Sequence, residues 1–189
     1  MASLFLIAGL GNPGSRYART RHNVGFMLAD RLASASHLKF SSAGESLWAK
    51  GAVSGHDALF LKPQTFMNLS GGPVRAFAER FKVHEESIII AYDDIDLPVG
   101  RIRVKRGGGS GGHRGVASII ERLGGREFIR VRLGVGRPVY GDVADYVLSP
   151  FSEDEVASLD EMLERGLQAI ETIVAQGLDA AMNRFNCAV

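Results

Sequence analysis

The sequence predicts a single α/β domain built on a twisted, mixed β-sheet with helices on both faces. Three observations lead there. Short apolar runs, as in strands buried on both sides, recur along the chain and are separated by stretches of helical periodicity. Strands alternating with helices pack as a sheet covered by helices. A length of 189 residues, 46% of them hydrophobic, fits one core, and no repeat, low-complexity tract or linker divides it, so residues 1–189 read as one domain.

The elements follow in order. Leu4 to Gly9 is an apolar run read as the first buried strand; no basic residue precedes it and it is far shorter than a membrane span, so neither a leader nor a membrane segment is expected. Val24, Leu28 and Leu32 mark a helix, and His56 to Lys62 a second strand. Val74, Phe77, Ala78 and Phe81 keep the i, i+3, i+4, i+7 spacing behind Pro73, which suits a first helical turn. Ser87 to Tyr92 and Phe128 to Gly136 are further buried strands. The longest helix is expected from about Glu153 to Gln176: Ser152 and Glu155 form a capping box, Val156, Leu159, Met162, Leu163, Ile170 and Ile173 share a face, and Gly177 ends it.

The only cysteine, Cys187, allows no intramolecular disulfide and no Cys-rich metal site, which fits a reducing cytoplasm. The net charge of +1 hides an asymmetry. Residues 1–137 carry 20 Lys and Arg against 11 Asp and Glu, whereas residues 138–189 carry 2 against 10. A polyanion-binding face is compatible with this, although solvated faces of amphipathic elements account for it as simply.

Three motifs point to chemistries that their context does not support. Gly9-Leu10-Gly11-Asn12-Pro13-Gly14 matches the dinucleotide fingerprint after a strand, but Pro13 and the polar run Ser15 to Arg21 delay the helix that must open on the glycines. Gly108-Gly109-Ser110-Gly111-Gly112 fits a nucleophile elbow, but the only later histidine is His113 and no downstream acid–histidine order exists. Asp93, Asp94 and Asp96 suggest a cation, but neighbours on an extended segment point apart. No cofactor and no metal are expected. His37, His56 and His84 have no motif around them.

Five segments combine small-residue turns with uncharged amides and histidine: Gly11-Asn12-Pro13-Gly14, Thr20-Arg21-His22-Asn23-Val24-Gly25, Thr65-Phe66-Met67-Asn68-Leu69-Ser70-Gly71, Asp93 to Pro98, and Gly107 to His113. With all five in order, the chain resembles the bacterial-type peptidyl-tRNA hydrolase family over nearly its full length. The resemblance implies a cytoplasmic, monomeric, cofactor-free enzyme that cuts the ester between a peptide and the 3′ end of tRNA, with peptidyl-tRNA as partner and no membrane.

The residue chemistry agrees with it. Ester hydrolysis needs a base to take a proton from attacking water, and histidine titrates in the right range; His22 is the candidate. An acid on the far ring nitrogen fixes the tautomer, a role suited to Asp93 at its strand end. Asn12 and Asn68 offer donors and acceptors without charge, so they can hold a peptide backbone and a developing oxyanion whatever the side chains. Asn12 reads equally as a turn residue, and Asn23 as a helix N-cap or a site residue. By resemblance, Tyr17, Phe66 and Met67 line the peptide channel.

Arg101, Arg103 and Lys105 alternate with apolar residues, as do Arg130 and Arg132, so each set leaves one face of a strand. Such rows contact phosphate without reading sequence. By resemblance Lys105 and Arg132 grip the tRNA 5′ phosphate, with Arg103, Arg106 and Arg114 nearby. Glycines 107 to 112 lack side chains to hold them, so Gly109, Ser110, Gly111, Gly112 and His113 are expected to form a lid. One departure stands out: many family members carry an asparagine where this chain has Arg114. Arginine has donors only and a permanent charge, so it cannot copy an amide acceptor, and the runner-up reading is a tRNA binder without turnover.

Overall fold

Four parallel strands form the middle of the sheet in a computed structural model that describes residues 4–187. β1 (Phe5–Gly9) lies between β4 (His56–Pro63) and β5 (Ile88–Asp94), and β7 (Ile129–Gly134) follows β5. Antiparallel strands extend both edges: β2 (Ser41–Ser42) and β3 (Ser46–Val53) beyond β4, and β6 (Ile102–Arg106) beyond β7. The order is β2-β3-β4-β1-β5-β7-β6.

Alternation along the strands divides the interior into two cores. Ile7, Phe60, Ile89 and Val131 face α1 (Val24–Ala35), α5 (Val156–Gln176) and α6 (Leu178–Phe185). Leu6, Leu59, Ile90 and Tyr92 face α2 (Gly71–Phe81) and α3 (Arg114–Leu123). Helices therefore cover both faces, as the alternation of elements predicts. The capping box of Ser152 and Glu155 is present, followed by a short 3-10 turn at Glu153–Glu155 before α5.

The β3–β4 hairpin, the short strand β2, and the helices α4 (Val143–Val147) and α6 were not anticipated. Ser46–Val53 alternates too weakly for an edge strand to announce itself. Its turn is a two-residue one at Ser54 and Gly55, both with positive φ, as a hairpin matched to the strand twist requires.

The glycines of the apparent dinucleotide fingerprint serve packing. A Cβ on Gly9 falls 2.1 Å from the Gly25 carbonyl oxygen, and one on Gly25 falls 2.4 Å from that of Ala91. Helix α1 thus crosses the strand ends backbone to backbone. This contact brings the segment before α1 over the carboxyl ends of β1 and β5, where open parallel sheets place their binding crevices.

Candidate active site

Asn12, His22, Asn68 and Asp93 leave the carboxyl ends of parallel strands or the turn into a helix beside them. Asn12 follows β1, Phe66 to Asn68 follow β4, Asp93 lies near the end of β5, and His22 occupies the 3-10 turn Arg21–Asn23 that leads into α1.

Asp93 is buried and bound by two histidines. His22 Nδ1 lies 2.9 and 2.8 Å from its two oxygens, and His113 Nε2 lies 2.8 Å from Oδ1. Burial alone pushes the Asp93 carboxyl up, but the charges and hydrogen bonds of His113 and His22 outweigh it and hold the group well below the usual carboxylate range. An ionised Asp93 accepts only, so His22, which lines the cavity, donates from Nδ1, and in its neutral form the ring then carries its lone pair on Nε2. His113 has no such spare nitrogen: Val116 N–H donates to its Nδ1 at 3.2 Å, which caps α3. Ser110 therefore finds no free base in His113, which removes the nucleophile-elbow reading.

Asn23 makes no cap bond to α1 and instead copies a strand neighbour for Asn12. Its Oδ1 accepts from Asn12 N and its Nδ2 donates to Asn12 O, both at 2.9 Å. The Asn12 side chain is fixed in turn, with Oδ1 accepting from Met67 N at 2.8 Å. That bond fixes the amide orientation and leaves Nδ2, which has no protein acceptor among the described residues, available at the cavity that Asn12 lines.

Arg21 holds the His22 segment. Its guanidinium bonds both oxygens of Glu155 and the Val135 carbonyl, between the rings of Tyr146 and Phe151 at 4.4 and 4.9 Å. The hydrogen bond from Arg21 keeps the Glu155 carboxyl below its ordinary value.

These residues border a cavity of about 650 Å³. Asn12, His22, Phe66, Met67, Asn68, Asp93, Lys105, Arg132, Arg114 and the loop Gly109 to His113 all reach it. Tyr17 and Asn23 do not: Tyr17 packs edge-on against Phe66 with ring centroids 6.5 Å apart, and Asn23 acts through Asn12. Arg103 and Arg106 are exposed outside the cavity wall. Helix α4 supplies Val143, Ala144 and Val147 to the cavity wall, a contribution that no periodicity of so short a helix could signal.

One expectation about the basic rows needs correction. Arg130 does not project to solvent: it is fully buried, lies over the Phe128 ring and donates to the carbonyls of Gly108 and Gly109. The glycine loop therefore has an anchor beneath it, contrary to the premise that nothing holds it. Arg132, opposite Arg103 across β6 and β7, is paired with Asp94, which also caps the following turn through Asp96 N. Lys105 has no carboxylate partner among the described residues; burial, then Arg130, Arg132 and Arg103, lower its pKa.

His22, Asp93 and His113 are the one group of three possible metal ligands gathered among the described residues. Their 2.8–2.9 Å separations are those of hydrogen bonds, and both histidines need those protons for the bonds described.

An imidazole held by a buried carboxylate, with an amide at the same cavity, has the group types that hydrolases use to activate water. The family model described as peptidyl-tRNA hydrolase matches residues 6–189. Over 187 residues the chain is 48% identical to the peptidyl-tRNA hydrolase of Geobacter sulfurreducens, covering 96% of this chain and 94% of that one. It is 45% identical to that of Alkaliphilus oremlandii, over 97% and 100% of the two chains. The crystal structure of the Acinetobacter baumannii peptidyl-tRNA hydrolase superposes with a TM-score of 0.93 at 36% identity, covering 99% and 96%. The chain belongs to the peptidyl-tRNA hydrolase family.

Proposed function

We propose that the chain hydrolyses the ester joining a peptide to the 3′ end of tRNA, with water as nucleophile and His22 as its base. The observation that carries this reading is the His22–Asp93 pair, which leaves one imidazole nitrogen free at the cavity of a chain in this family. His22 Nε2 takes a proton from water as its oxygen attacks the ester carbonyl. The imidazolium that forms is stabilised by Asp93, and the Asn12 Nδ2 donor faces the charge that builds on the carbonyl oxygen. Collapse expels the ribose oxygen, which takes a proton back from His22.

Asn68 holds the peptide backbone, and Phe66, Met67 and Tyr17 form its apolar side. Lys105 and Arg132, backed by Arg103, Arg106 and Arg114, carry the tRNA phosphates. The loop Gly109 to His113 closes over the substrate. The chain acts as a single-domain monomer in the cytoplasm; no described helix is long and apolar enough to cross a membrane.

The test is tRNA release from an N-blocked aminoacyl-tRNA, with free aminoacyl-tRNA as control and chelator throughout. Rapid cleavage of the blocked substrate alone is expected. Salt-sensitive tRNA binding with no cleavage favours the non-catalytic binder that Arg114 suggests.

A further inference from the structure

Arg130 is used neither by the proposed chemistry nor by an ion pair. Its side chain is fully buried in β7, its guanidinium meets no carboxylate among the described residues, and its Nε is without a partner. Burying a charge without a counter-charge is costly, and arginine keeps its proton. The two carbonyls that it binds, those of Gly108 and Gly109, are what the fold gains in return.

In a trans peptide the carbonyl of one residue and the N–H of the next point in opposite directions. Holding the Gly108 and Gly109 carbonyls inward therefore turns the N–H groups of Gly109 and Ser110 outward, and neither donates to a protein acceptor among the described residues. Gly108 has φ +97°, and a Cβ there falls 2.7 Å from Lys105 Nζ, so the loop runs directly beside that unpaired ammonium. Lys105 is also the cross-strand neighbour of Arg130. Two outward amides beside an unpaired ammonium match the oxygens of a phosphate group.

We propose that Arg130 is a positioning residue for phosphate recognition: from beneath the glycine loop it aims the Gly109 and Ser110 amides, together with Lys105, at one phosphate of the nucleic-acid substrate. The assignment rests on the tRNA-hydrolase reading for the identity of that phosphate, but not for the loop geometry. Arg130 never touches the phosphate. Lysine cannot replace it, because a single ammonium does not reproduce the fork that reaches two adjacent carbonyls.

The experiment measures pyrophosphate binding by calorimetry, and kcat and KM on N-blocked aminoacyl-tRNA, for the unaltered protein, Arg130→Lys, Arg130→Met and Ser110→Pro. The proline variant removes one outward amide and leaves Arg130 in place, so it carries the test if the arginine variants fail to fold. Each variant is expected to weaken pyrophosphate binding about tenfold, the scale of one hydrogen bond to a charged group, and the arginine variants to raise KM similarly with kcat within about threefold; Ser110→Pro, in the loop over the substrate, is read by pyrophosphate binding alone. Combining Arg130→Lys with Lys105→Met is expected to cost less than the sum of the two, since both act on one group. No pyrophosphate binding by the unaltered protein, undiminished binding in Arg130→Lys, or a fall in kcat at constant KM overturns the proposal. Pyrophosphate binding that depends on Arg130 in a protein that cleaves nothing supports the loop assignment and removes the hydrolase reading.

Discussion

His113 Nε2 lies 2.8 Å from Asp93 Oδ1, so the carboxylate that orients His22 carries a second histidine. The same ring caps α3 through its other nitrogen, tying the helix start to the proposed base. His113→Ala is expected to lower kcat about tenfold or more by freeing Asp93, and to cost about 1 kcal/mol of stability through the lost cap. Steady-state kinetics and thermal melting of the variant check both effects.

Asn12→Asp separates donor from acceptor at constant shape. Its carboxylate still accepts from Met67 N, but the proposed oxyanion donor is gone. A loss of about 100-fold in kcat at little change in melting temperature is expected, the scale found for one such donor. An unchanged kcat places the oxyanion donor elsewhere.

Asn23→Ala tests whether a residue outside the cavity acts through its neighbour. It leaves the Asn12 backbone amide and carbonyl unpaired in a buried position, a cost of about 1–3 kcal/mol per group. Both stability and kcat/KM are expected to fall, whereas a pure helix cap lowers stability alone.

The pH dependence of stability follows from the sign of the Asp93 shift. Its folded pKa is depressed, so its contribution is fully present above the unfolded value, about 3.9, and is lost as pH falls through the lower folded value. The difference in unfolding free energy between the unaltered protein and Asp93→Asn is therefore expected to stay constant from neutral pH to about 5 and to shrink below about 4. Chemical denaturation across that range measures it. A difference that grows as pH falls below about 4 contradicts the assignment.

Arg114 is exposed at the cavity rim. If it adds a phosphate contact, Arg114→Asn reduces the salt dependence of tRNA binding by about one unit of slope. Equal slopes remove Arg114 from the phosphate contacts.

The buried strands and the helices marked by apolar periodicity were legible in the sequence, whereas the pairing of His22 with Asp93 was reached through the family resemblance, since chemistry alone does not single out His22 among five histidines. The second partner of Asp93 was not legible, since nothing local to His113 reveals a bond to a residue 20 positions away. Arg130 and Arg132 look alike in an alternating strand, yet one is buried beneath a loop and the other pairs with Asp94. Alternation fixes which face a side chain leaves from, not what covers that face. Asn23 shows the same limit: a residue type suited to an N-cap is here spent on the backbone of Asn12.

The central claim is that His22, oriented by Asp93, activates the water that cuts the ester. Single-turnover cleavage of N-blocked aminoacyl-tRNA, with enzyme in excess and chelator present, tests it most directly when the unaltered protein is compared with His22→Ala. The account predicts a rate reduced at least about 100-fold, with tRNA affinity unchanged within about threefold, because a general base contributes on that scale to the chemical step and His22 is not among the proposed phosphate contacts. A His22→Ala protein that cleaves at the unaltered rate contradicts it.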